Sequence, residues 1–207
     1  EQLRDAILGE LRLSRYDHPE ILDLLQNVYL VGTCPEQEWD SFLRLAAEEI
    51  DRVAAELAEE MDHWPEETDC DRLDRVELAL RERGILLWQV SPCCDTCTLG
   101  DLPDRIVAID QRSPGFHDRV RGYAFFIDQN MTEMLAEGSQ LTVYLGYGWI
   151  SPDQQDVSAE EYDPQALAIA REVCECLHAE GLKAKWGGDL AKKIGVSLNW
   201  QRRTLLE

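Results

Sequence analysis

Positive charge is what this chain has least of. Only four lysines and four histidines occur in 207 residues, and 20 Lys and Arg stand against 41 Asp and Glu, for a net charge of −21. A surface that negative repels phosphate backbones, so nucleic acid is not an expected partner. No apolar run reaches membrane-spanning length, so no membrane partner is expected either. No basic-then-apolar leader opens the sequence, and cytoplasm is the expected location. Enzyme signatures are missing as well: there is no G-x-S-x-G, no H-E-x-x-H and no G-x-x-x-x-G-K-[ST]. Gly146-Tyr147-Gly148 lacks the third glycine and the following helix of a dinucleotide site. The histidines (His18, His63, His117, His178) are far apart, and only His117, in a Gly-Phe-His-Asp loop, is a candidate for chemistry. Without a paired catalytic constellation, the leading expectation is a non-enzymatic module that binds a protein or a small ligand.

What is present begins with an ordinary apolar fraction, 44%, and a length that gives one large domain or two small ones ample core. The charge is uneven. Residues 1–62 hold 16 acidic and 5 basic side chains, residues 63–180 hold 23 and 9, and residues 181–207 hold 2 and 6, including all four lysines. The plain reading is a solvated acidic surface. The sharper one docks the basic tail on acidic surface of its own chain or of a second copy.

Apolar residues at helical spacing predict helices over 2–13 and 19–30, with Asp17 as a cap and Pro19 in the first turn. A long helix over 36–62 carries Trp39, Leu43, Ala46, Ile50, Val53 and Leu57 on one stripe. Residues 1–62 therefore read as a helical bundle, or as an arm of helices that takes a protein partner or forms a homodimer. His63-Trp64-Pro65 separates this segment from 63–207. There Thr68-Asp69-Cys70-Asp71 opens a helix that Gly84 ends, followed by a strand over 85–90. Residues 95–110 predict a short helix or two. Strands at 122–127 and 141–145 flank a helix over 130–137. A helix over 163–180 stops at Gly181, and strands at 182–186 and 193–199 form a hairpin around Gly187-Gly188-Asp189. Tyr144, Tyr147 and Trp149 are expected at a strand end, covering the sheet or walling a pocket. The expected fold class is α+β: an N-terminal helical segment plus a mixed, mainly antiparallel sheet of about five strands, with helices mainly on one face.

Cysteine is the exception to the general scarcity of chemistry. Seven thiols are an odd number, and no short disulfide scaffold is implied. Three of them, Cys93, Cys94 and Cys97, lie in Ser-Pro-Cys-Cys-Asp-Thr-Cys at an expected strand-to-helix turn. Backbone N–H groups at a helix start lower a thiol's pKa, which favours thiolate for metal binding or for nucleophilic attack. Asp95 and the negative charge overall oppose a bare thiolate, which a bound cation would offset; this tilts the reading toward metal over redox. Cys93, Cys94 and Cys97 are thus candidate ligands, with zinc the candidate ion. A closed zinc site needs four ligands, and Cys34, Cys70, His63, His117 and Asp101 are the candidates for the fourth. Cys174 and Cys176 are a poor source, since residues two apart on a helix point about 200° apart. Three readings stay open: a structural turn, a metal clamp, and a redox dithiol at Cys94-x-x-Cys97.

Trp64-Pro65, Thr68-Asp69-x-Asp71-Arg72-Leu73-Asp74, Gly84-Ile85, Cys93-Cys94-x-x-Cys97 and Arg121-Gly122-Tyr123-x-Phe125, with a tail from Gly181-Leu182 through Trp186 to Trp200, together resemble an uncharacterised bacterial family common in actinobacteria, of the DUF6891 type. The resemblance is firmest over residues 64–203. It implies that the cysteine turn and the strand after it belong to one unit, and it implies no reaction. Thr98 stands where the family often has glycine after the last cysteine, which implies a different turn geometry.

Overall fold

Among the described residues of the computed structural model, 2–31, 35–152 and 157–206, seven α-helices and five strands occur. In chain order they are α1 (Gln2–Leu13), α2 (His18–Leu24), α3 (Trp39–Met61), α4 (Asp69–Glu82), β1 (Ile85–Ser91), α5 (Asp95–Arg112), β2 (Gly122–Ile127), α6 (Met131–Glu137), β3 (Gln140–Trp149), α7 (Ala159–Ala179), β4 (Lys183–Lys185) and β5 (Ile194–Asn199). A π-helical turn, Leu25–Leu30, continues α2, and a 3-10 turn, Glu36–Glu38, leads into α3. The break expected at Val31 to Pro35 falls partly outside the described residues, and Cys34 lies outside them. The class is α+β as expected. The five strands form one mixed sheet in the order β1-β2-β3-β5-β4, with β1 and β2 parallel and the pairs β2/β3 and β4/β5 antiparallel.

The chain makes two compact units. The first takes Glu1–Thr68 together with Asn130–Leu141 and Asn199–Glu207. Its helices start where local chemistry dictates. The Asp17 carboxylate accepts from the N–H of Glu20 at 2.9 Å, and the Glu20 carboxylate accepts from the N–H of Asp17 at 2.8 Å, a reciprocal cap for α2. Ile7, Ile21, Leu25, Ala46, Ile50 and Val53 are buried together, with Leu3, Leu11 and Phe42 packed around them. Each large aliphatic side chain so buried contributes about 1.5–3 kcal/mol. Helix α1 also lies hard against α6: a Cβ on Gly9 would stand 2.2 Å from the carbonyl oxygen of Thr132, so only glycine permits this approach. Arg12 donates to the Leu135 carbonyl and to Glu60, both at 2.7 Å, and the Trp200 indole N–H donates to the Arg12 carbonyl at 3.0 Å.

The second unit takes Asp69–Gln129 and Thr142–Leu198. Helix α4 presents Cys70, Leu73, Val76 and Leu80 to the interior, and Gly84, at φ +72°, turns the chain into β1. Strand β1 alternates between two helical layers. Gln89 donates from its amide to Asp74 and Glu77 of α4, both at 2.9 Å, while Leu86 and Trp88 join Leu102, Ile106 and Ile109 of α5. A Cβ on Gly122 would meet the Ile169 side chain of α7 at 2.5 Å, so that side chain packs on the bare backbone of β2.

Two elements are longer than the sequence implies. The short helix or two expected over 95–110 is one helix of 18 residues, with Pro103 inside it. Pro103 is on the exposed side, so the missing N–H bond frees a carbonyl toward water, and the buried stripe of Leu102, Ile106 and Ile109 carries the helix through. Strand β3 runs on through Gly146 and Gly148 to Trp149, past the expected end near 145. The register explains this: Phe125 pairs with Gly146 and Tyr123 with Gly148. The rings of β2 lie over those glycines, 3.1 Å (Phe125 Cζ) and 2.4 Å (Tyr123 Cζ) from where a Cβ would stand, and restore the packing a glycine lacks. Tyr147 and Trp149 therefore stand at a strand end, as expected, but within the longer strand itself. Tyr147 meets Trp186 edge-on at 5.7 Å, and Trp149 meets Tyr162 at 6.2 Å.

Candidate functional site

The cysteine turn is the β1–α5 connection, at the carboxyl end of the parallel pair β1/β2. The pairing slips between Trp88 and Ser91, and Val90 sits at φ +51°, an unusual place for a β-branched residue. The slip swings Ser91 fully inward, 0% exposed. There its hydroxyl donates to the Phe126 carbonyl at 3.2 Å and accepts from the buried Thr98 hydroxyl at 3.0 Å. The Asp128 N–H donates to the Ser91 carbonyl at 3.0 Å, and the Asp128 carboxylate accepts from the Cys93 N–H at 3.2 Å. Both ends of the turn are tied to β2, and the first turn of α5 is tied to β1. Thr98 thus serves the structure: its side chain locks the turn to the strand.

Within this frame Cys93 takes φ +71° and Cys94 is the extended N-cap of α5. Three sulfurs converge. Those of Cys93, Cys94 and Cys97 all lie within 4.8 Å of one another, and the Cys94–Cys97 separation is 3.5 Å. Cys93 and Cys97 are exposed and Cys94 is half-buried. The helix start acts on them as elementary electrostatics requires. The Cys94 thiol is held below its ordinary value, first because the backbone N–H of Cys97 donates to its sulfur, then because the Cys97 thiol does; burial acts in the other direction. The Cys97 thiol is pushed up to about 11, since its proton is held by the Cys94 sulfur and then by that of Cys93.

Asp95 does not oppose the thiolates as the sequence alone implies. Its two carboxylate oxygens lie 2.7 and 2.6 Å from the Lys193 ammonium, so the charge inside the motif is paired. That contact is also a case of the basic tail meeting acidic surface of its own chain.

The proposed fourth ligands do not gather here. Cys34 lies outside the described residues. Cys70 is buried in α4, and Asp101 is exposed on α5. His117 takes Asp110 on its backbone N–H, and its ring faces Asp118 at 3.5 Å. His63 is exposed in the first unit, its ring nitrogen 2.8 Å from the Glu59 carbonyl. Among the described residues, no fourth Cys, His, Asp or Glu side chain lies within 4.8 Å of all three sulfurs. Cys176 is buried and Cys174 half-buried on α7, and burial raises both thiols, as suits packing rather than reactivity.

A family described as a domain of unknown function, DUF6891, matches residues 1–204. The chain belongs to this family. The match takes in the N-terminal helices as well as residues 64–203. No curated protein and no solved structure matches the chain. The family brings no reaction with it, so the chemistry of the site rests on its geometry. Three thiols are placed to hold a metal ion, at the end of a strand and the start of a helix. Sequence reasoning finds those thiols but misses the residues that hold them. Ser91 and Asp128 are brought together only by the parallel pairing of β1 with β2. Lys193 is separated from Asp95 by 98 positions.

Proposed function

We propose that this chain is a metal-binding domain whose β1–α5 turn holds a soft d10 ion, Zn2+, through the thiolates of Cys93, Cys94 and Cys97. The observation that carries this is the convergence of three sulfurs within 4.8 Å at the start of an 18-residue helix. Zinc–sulfur bonds of about 2.3 Å in a tetrahedron put neighbouring sulfurs about 3.8 Å apart. The 3.5 Å Cys94–Cys97 pair is close to that already, and Cys93 needs to close by at most about 1 Å. Thiolate ligands select zinc or monovalent copper over the hard ions magnesium and calcium. The helix N–H groups aimed at Cys94 and the Lys193 ammonium on Asp95 ease the concentration of negative charge. The fourth position is open to water or to an incoming donor, which makes this a site for exchange or for completion by a ligand rather than a closed structural knot.

Elemental analysis of protein purified without added metal, followed by titration of the metal-free protein with Zn2+, tests the reading. About one equivalent is expected to bind, with release of protons from the thiols that steepens as pH falls. Cys93→Ser, Cys94→Ser and Cys97→Ser should each weaken binding. Less than about a tenth of an equivalent bound at micromolar Zn2+, or binding unchanged in all three variants, would overturn it.

A further inference from the structure

The spacing of two of these sulfurs fits a second chemistry. We propose that Cys94 and Cys97 form a reversible disulfide, and that the turn is a thiol–disulfide switch that discharges its metal when oxidised. The release half rests on the metal reading above; the disulfide half does not.

The geometry carries the bond. The Cys94 and Cys97 sulfurs are 3.5 Å apart, and a disulfide of about 2.0 Å requires them to close by about 1.5 Å. Side-chain rotation can supply that, because neither thiol is locked in the core: Cys97 is exposed and Cys94 half-buried. The backbone under them is held from both sides. Thr98 is anchored to Ser91, and the Cys93 N–H is anchored to Asp128. Closing the bond therefore need not unravel the turn, and opening it returns the sulfurs to the same place. The thiols of Cys70, Cys174 and Cys176 stand apart on α4 and α7, half-buried or buried, and are not drawn in.

The oxidant is a low-molecular-weight disulfide, here oxidised glutathione. One protein thiolate attacks the glutathione disulfide; its sulfur bonds to one glutathione, and the other leaves as a thiolate. The second protein thiolate attacks the protein-side sulfur of that mixed disulfide. The Cys94–Cys97 bond forms, and the second glutathione leaves as a thiolate. Two electrons pass from protein to glutathione. The two glutathione thiolates take up the protons of the protein thiols, or protons from solvent where the metal had displaced them. Oxidation removes two of the three metal ligands, and Cys93 alone does not retain the ion.

The test uses the full chain in two arms. Metal-free reduced protein is equilibrated in buffers spanning oxidised to reduced glutathione, and differential alkylation with peptide mass spectrometry reads the result. The expected outcome is one intramolecular disulfide that forms and reverses in the parent and in Cys93→Ser. Cys94→Ser and Cys97→Ser should lose it and stop at the mixed disulfide with glutathione. Loss of the bond in Cys93→Ser, retention in Cys97→Ser, or no disulfide anywhere in the range overturns the proposal. In the second arm, Zn2+-loaded protein is treated with excess oxidised glutathione beside a chromogenic zinc chelator. Release should track disulfide formation, mole for mole. Oxidation with the ion retained overturns the switch. A chain that never takes up Zn2+ overturns the release half and the metal reading together, while the first arm still decides the disulfide on its own.

Discussion

The helix start divides the labour of Cys94 and Cys97, and that division can be measured without any metal. In the metal-free, reduced protein Cys94 ionises below the ordinary thiol value of 9.0, while Cys97 is pushed up to about 11. The sign follows from what attacks: only the thiolate alkylates, so a lowered pKa makes Cys94 reactive at lower pH, and a raised one delays Cys97. At pH 8 a thiol of pKa 11 is about one part in a thousand ionised, and one of pKa 9 or below about a tenth or more, a ratio of about a hundred. The less basic sulfur is also the weaker nucleophile. With a Brønsted slope of about 0.45, each pKa unit by which it lies below Cys97 costs it about three-fold. The net expectation is that iodoacetamide modifies Cys94 about ten times faster than Cys97 at pH 8. The advantage should shrink with rising pH and reverse before pH reaches about 11, where enough Cys97 is ionised for its greater basicity to count. Peptide mass spectrometry of the parent protein quenched over time, with fragmentation to place the label on Cys93, Cys94 or Cys97, gives both rates. Equal rates at pH 8, or Cys97 reacting first, would refute the assignment of the N–H donors to Cys94 and with it the electrostatic account of the turn.

Three further expectations test the frame around the thiols. Thr98→Val keeps the shape but removes the buried hydroxyl that donates to Ser91; urea denaturation should show a loss of about 1–2 kcal/mol, and Ser91→Ala combined with it should cost less than the two single losses added. Lys193→Gln leaves Asp95 uncompensated beside the thiols, so the Cys94 alkylation profile should move to higher pH. With both partners partly exposed, its stability should change by less than about 1 kcal/mol in the same denaturation experiment. Gly9→Ala drives a methyl into the Thr132 carbonyl, and pushing α1 from α6 should cost about 1–3 kcal/mol of stability, read as a lower urea midpoint.

The elements legible in the sequence are those whose signals are local. The cap at Asp17, the left-handed stops at Gly84 and Gly181, and the apolar stripe of α3 all depend on neighbours a few residues away, and all are present. Helix α5 and strand β3 outrun their sequence signals because both are punctuated with residues that usually break such elements. Whether Pro103 breaks a helix depends on which side of it faces water. Whether Gly146 and Gly148 end a strand depends on which rings lie across from them on β2. Neither fact is local. The inclusion of α6 and the C-terminal tail in the first compact unit is likewise a matter of packing, such as the Gly9–Thr132 approach, and no spacing within either segment signals it.

The same distinction governs the site. The motif Cys-Cys-x-x-Cys announces its three sulfurs, and a helix start is enough to expect one thiol to be acidified. What composition does not supply is the sign of the local field. A chain with a net charge of −21, and an aspartate inside the motif, reads as hostile to thiolates. Yet at distances of a few ångströms, individual partners outweigh a screened average, because exposed charges farther than about 10 Å are largely silenced by salt. Here the carboxylate inside the motif, Asp95, is paired with Lys193, that of Asp128 accepts from the Cys93 N–H, and the backbone N–H of Cys97 donates to the Cys94 sulfur. The surplus acid elsewhere bears on encounter: it draws cations toward the protein and turns away anionic competitors over longer range. Local pairing decides whether the thiols ionise, and the distant charge decides which ions arrive at an appreciable rate. Zn2+ uptake by this turn should therefore slow as ionic strength rises, more than its affinity falls. Equal losses in rate and affinity would place the acidic surface in direct contact with the ion instead.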